Sequence, residues 1–202
     1  MTSYHSHRAL LSFEEAEKEG TLLPITNWVQ DFLCQPNDDL GRPGDVCPFT
    51  RTAISKKSFQ FTIDHSDNEI EFIRTVELHM FDFEKTGGKS DTYRCRLIVP
   101  TSLGMSTTVA VENAQRMLKP KFVERHLMVG QFFPECQERG LWNSEFRPLR
   151  SPIPLVAIRN MVPTDVAFLY DNDRFMRAYR ERFGARAVRA IRQYEAARGI
   201  VT

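Results

Sequence analysis

Two proline-punctuated segments carry the side chains best suited to chemistry. The first is Gly41-Arg42-Pro43-Gly44-Asp45-Val46-Cys47-Pro48-Phe49, and the second is Phe146-Arg147-Pro148-Leu149-Arg150-Ser151-Pro152-Ile153-Pro154. Prolines at 148, 152 and 154 stop any helix and hold the backbone on an extended path. Arg147 and Arg150 sit on that path, and Arg159 follows in an apolar stretch. A guanidinium is a rigid fork suited to a carboxylate, whether of a substrate or of a haem propionate. A buried arginine also needs an anion, so Asp165 or Asp171 could make this group purely structural. Cys47 precedes a proline and is therefore held extended; a thiolate there can be a nucleophile or a haem ligand. The plainer alternative is a small thiol filling the loop core.

His79 shares an apolar helical stripe with Val76 and Phe83, and His126 stands just before a strand. Either neutral imidazole could ligate a metal or haem iron, although a core histidine bonded to backbone is the commoner case. His65 reads as a turn residue, and Cys34, Cys95 and Cys136 read as structural. The four cysteines form no CxxC pair, so no structural zinc is expected. P-loop, GxGxxG, GxSxG, HExxH and kinase patterns are absent from the sequence.

These side chains need a scaffold, and the periodicity supplies one. Residues 13–19 and 24–34 read as helices, with Ser12 and Pro24 as their openers. A long loop over 35–49 leads to a strand at 59–63 and a helix at 67–84. That helix carries two apolar stripes, which predicts burial on more than one side. A strand at 93–99, a helix at 106–118 interrupted by Pro120, and strands at 127–133 and 155–161 follow. A second long loop covers 134–152; 165–170 reads as a helical turn, and two basic helices over 173–183 and 185–198 are split by Gly184. The order predicts an α+β fold: a mixed sheet of about four strands covered by helices. Residues 1–23 read as an N-terminal extension with a short helix, and 24–202 as one domain.

A net charge of +1 creates no global field toward nucleic acid or membrane. Eight arginines between 174 and 198 are interleaved with Asp171, Asp173, Glu181 and Glu195, and no stacking platform accompanies them, so they read as a solvated face. No secretory h-region or apolar run of spanning length occurs, so a cytoplasmic protein with reduced thiols is expected. A homodimer is compatible with the sequence.

At Cys47-Pro48-Phe49 and Phe146-Arg147-Pro148-Leu149-Arg150-Ser151-Pro152 the chain resembles a bacterial family of unknown function, common in actinomycetes and often near natural-product genes. The similarity spans roughly residues 27–183. More distantly the layout is similar to the YqcI/YcgG family, which includes haem-dependent N-oxygenases. The shared points are the early cysteine and Gly130-Gln131-Phe132-Phe133-Pro134, followed by Leu149-Arg150. A late histidine of that family is missing here: Phe133 precedes Pro134 and Asn160 follows Arg159, so no axial ligand is carried over.

The resemblance implies a small-molecule biosynthetic enzyme, a haem-dependent oxygenase or N-hydroxylase acting on an amino-acid-like substrate. Haem would then be held by His79, His126 or Cys47, with Arg147, Arg150 and Arg159 on its propionates or on a substrate carboxylate. The alternatives are a cofactor-free binding or accessory protein whose Pro-rich loops form a partner surface, and an enzyme with Cys47 as nucleophile and His79 or His126 as base.

Overall fold

Alternating apolar residues build a five-stranded mixed sheet. Its strands are β1 (Leu11–Ser12), β2 (Phe59–Asp64), β3 (Cys95–Pro100), β4 (Leu127–Phe132) and β5 (Leu155–Asn160), in the order β1-β2-β3-β5-β4. β2 and β3 pair in parallel; every other pair is antiparallel. The computed structural model describes residues 9–87 and 91–200; His5, His7 and Gly88 lie outside them. The α+β class and the single mixed sheet agree with the sequence reading. The fifth strand is β1, too short to show an alternation of its own.

The period of two sends side chains to opposite faces. Phe59, Phe61, Leu97, Val99 and Leu155 join one core, and Ile98, Val129, Val156 and Ile158 join another. The first face is covered by α1 (Phe13–Ala16), by α2 (Leu23–Trp28), which runs on as a π-helical turn through Val29–Leu33, and by α3 (Thr50–Ser55). The second is covered by α4 (Glu69–Thr86) and α5 (Thr107–Glu124). Asn113 Nδ2 donates to Glu69, Lys121 pairs with Glu77 and Arg125 with Glu84, so the two helices lie side by side and parallel. A third core gathers around α6 (Val166–Leu169), α7 (Asp173–Phe183) and α8 (Ala185–Arg198).

Two helices depart from the sequence reading. α4 buries Phe72, Val76, Met80 and Phe83 on one side, while Ile70 is 80% exposed. α5 does not stop before Pro120 but continues to Glu124. A proline inside a helix costs about 3 kcal/mol, but burial of Leu118, Phe122 and Val123 around it contributes more, at roughly 1.5–3 kcal/mol per large apolar side chain. Val109 and Met117 of this helix face solvent. The arginines of α7 and α8 are exposed except Arg182, which is half-buried, in keeping with a solvated face.

Candidate functional site

The two Pro-rich loops, distant in sequence, meet over the face that carries α2. In the first loop Asn37 caps a short 3-10 turn, Asp38–Leu40, by accepting from the Asp39 N–H at 2.9 Å. Leu40 is buried and anchors the turn. Gly41 then takes a left-handed conformation at φ +74° and lies against Trp142 of the second loop. Asn143 Nδ2 donates to the Asp39 carbonyl at 2.8 Å, and its Oδ1 accepts from the Glu145 N–H at 2.9 Å. The first loop is held from within. Arg42 donates to the carbonyls of Pro43, Asp45 and Val46, and Arg51 donates to the Asp45 carboxylate and to the Cys34 carbonyl.

Aromatic rings floor the junction. Trp28 and Phe32 stack at 6.2 Å, Trp28 meets Phe132 edge-on, and Phe32 packs on Phe146 at 6.0 Å. Between the loops lies an open cleft of about 520 Å³, lined by the aromatic Trp28, Phe32 and Phe146 and by the polar Asp39, Asn143, Glu145, Arg147 and Arg150. Arg147 donates to the carbonyls of Ser144 and Phe146, at 2.5 and 3.2 Å, and its buried Nε has no hydrogen-bond partner among the described residues. Arg150 Nε donates to the Cys136 carbonyl at 3.3 Å. Among the described residues neither guanidinium is ion-paired.

Arg159 is separate from this pair. It grips Asp165 through both carboxylate oxygens, at 2.7 and 2.5 Å, and Asp165 also accepts from the Val162 N–H at 2.8 Å. Burial works against the Arg159 charge, but the carboxylate outweighs it and raises the guanidinium pKa above its usual value. Its anion is therefore internal, one of the two partners read from the sequence.

Cys47 donates its N–H to the Leu33 carbonyl and packs on the same core as Cys34 and Cys95. Burial pushes the Cys34 thiol up to about 11 and the Cys95 thiol to about 12. His79 stands on the opposite side of the sheet. Its Nδ1 is 3.0 Å from Arg96 NH1. Arginine can only donate, so Nδ1 accepts and the proton is on Nε2, leaving neither nitrogen free as a metal ligand. His126 takes a left-handed conformation at φ +58° in the turn between α5 and β4, where its backbone N–H donates to Val123 and its carbonyl accepts from Met161.

These positions correct the haem reading. Among the described residues no three His, Cys, Asp or Glu side chains gather where they could hold a metal ion. The donors proposed for iron do not converge: His79 is tied to Arg96 on the α4 side, and Cys47 lies on the α2 side. The expectations of a haem cofactor, of haem-dependent oxidoreductase chemistry and of an oxygenase or N-hydroxylase are withdrawn.

Asp39, Asn143 and Glu145 are cleft residues that the sequence reading passed over. Trp142, a large aromatic in a polar loop and still 55% exposed, was the available signal. Arg96 was also missed. It is 1% exposed and ties β3 to α4 through Asp82 at 2.8 Å and His79, and to β2 through Gln60 at 3.2 Å.

Fold and site together define a single α+β domain with an aromatic- and arginine-lined cleft between two rigid loops. The chain belongs to the family described as a domain of unknown function, DUF6875, whose model matches residues 22–194. No curated protein and no solved structure matches it.

Proposed function

We propose that the protein is a cofactor-free binding or accessory protein, and that its two Pro-rich loops form the surface that receives a small carboxylate-bearing ligand. One observation carries this reading: Arg147 and Arg150 line the cleft without an ion pair among the described residues, beside Trp28, Phe32 and Phe146. A charged fork over an aromatic floor is the usual composition of a small-molecule site, in which a few polar groups orient a mainly apolar body. The volume falls within the roughly 300–1,000 Å³ common for such sites. On this reading Phe146, Arg147 and Arg150 of the Phe-Arg-Pro-Leu-Arg-Ser-Pro segment form one wall of the cleft, and Asp39 is the first loop's contribution. The YqcI/YcgG likeness adds nothing once its haem chemistry is set aside. Four free cysteines support a reducing, cytoplasmic setting.

Both tryptophans of the chain, Trp28 and Trp142, stand at the loop junction, so intrinsic fluorescence reports on this cleft. Titration with aromatic monocarboxylates is expected to give a saturable emission change. Arg147→Ala or Arg150→Ala should weaken binding about 10- to 100-fold, the value of a hydrogen bond to a charged group. No saturable change with any carboxylate would sink the proposal.

A further inference from the structure

A carboxylate ligand would use only half of the charge in the cleft. Arg147 and Arg150 share its lining with Asp39 and Glu145, two groups of each sign. None of the four is ion-paired with another, although flexible side chains of opposite charge in one groove readily close on each other.

The local hydrogen bonds explain the separation. Both guanidiniums are tied to backbone carbonyls: Arg147 to Ser144 and Phe146, Arg150 to Cys136. The backbones that present the carboxylates are fixed in turn by Asn37 and Asn143. Ser144 Oγ also donates to the Glu145 carboxylate at 3.2 Å, so both arginines and Glu145 are aimed before a ligand arrives, which lowers the ordering cost of binding. The unpartnered Arg147 Nε is a buried donor of the same set, and a buried donor is costly to leave unsatisfied.

We propose that the cleft selects an ampholyte: a ligand with a carboxylate for Arg147 and Arg150, a cationic nitrogen for Asp39 and Glu145, and a flat apolar body against Trp28, Phe32 and Phe146. This rests on the reading of the cleft as the binding site. It adds a sign rule that a simple anion site lacks. The acidic pair repels a ligand that carries only negative charge, and the basic pair repels one that carries only positive charge.

An isosteric series tests it: 4-(aminomethyl)benzoate with both groups, 4-methylbenzoate with the acid alone and 4-methylbenzylamine with the base alone, each titrated into the full chain by tryptophan emission. The ampholyte should bind at least about tenfold more tightly than either relative. The Asp39→Asn/Glu145→Gln double variant should bring the ampholyte to the affinity of 4-methylbenzoate. Both side chains are exposed, so the fold should tolerate the change, and circular dichroism checks it. If 4-methylbenzoate binds as tightly as the ampholyte and the double variant shifts neither, the ampholyte rule is overturned while the carboxylate cleft stands. If none of the three probes gives a saturable change, both fall.

Discussion

Arg159 and Arg150 show what an arginine does when its anion is inside the protein and when it is not. Arg159 is held by both oxygens of a nearly fully buried Asp165, which also satisfies the Val162 N–H. Removing one member of such a pair leaves an uncompensated charge, so Asp165→Ala should lose about 3–5 kcal/mol by urea denaturation. Arg150 is exposed and bonds a single carbonyl, so Arg150→Ala should stay within about 0.5 kcal/mol of the parent in the same assay. Equal losses in the two variants would contradict this division. In the sequence the three arginines stand as one group, because spacing along the chain does not reveal which carboxylate lies within reach. His79 was legible as a helix-face residue but not as the acceptor for Arg96. That contact joins α4 to β3, and no local pattern encodes it.

At the level of elements, the cleft depends on one close approach. A Cβ on Gly41 would come within 2.9 Å of Trp142 Cβ, on a backbone at φ +74°. Gly41→Ala should therefore cost at least about 1–2 kcal/mol from the left-handed conformation alone. It should also shift the emission of Trp142 and weaken ligand binding as the loops part. Unchanged emission and stability would show that the loops are not coupled there. Both loops were legible from their prolines, and α7 and α8 matched residue for residue because Asp173 and Gly184 mark their ends. α3 was missed because six residues give too little periodicity. Local propensity misplaced the end of α5 at Pro120, whereas burial on both sides of the proline carries the helix onward. The meeting of the loops was not legible, since it depends on how the sheet brings them together.

For the molecule as a whole, the thiols of buried Cys34 and half-buried Cys95 set a limit at high pH. Loss of water around Cys34 and Cys95 raises them from 9.0 to about 11 and about 12. Above pH 9 the unfolded chain releases thiol protons that the folded chain retains. The unfolded state then binds fewer protons, and stability falls as pH rises through that window. Each thiol contributes up to about 1.4 kcal/mol per pH unit until its folded value is reached. Lys119, whose pKa burial lowers, acts in the opposite direction, so the Cys95→Ala variant isolates the thiol effect. Urea midpoints should hold steady from pH 7 to 8.5 and decline beyond 9, less steeply in that variant. Identical slopes in the two proteins would exclude Cys95 as a source.

The place of β5 also bears on how the protein is made. β5 is the last strand in sequence, yet it lies between β3 and β4, which do not touch each other in the sheet. As the chain leaves the ribosome, β3 and β4 emerge first and have no common neighbour. The loop that carries Arg147 and Arg150 is the tether that brings β5 into that gap. Insertion of β5 between β3 and β4 closes the sheet and, in the same step, sets the loop of Arg147 and Arg150 against the first loop, where the proposed binding cleft lies.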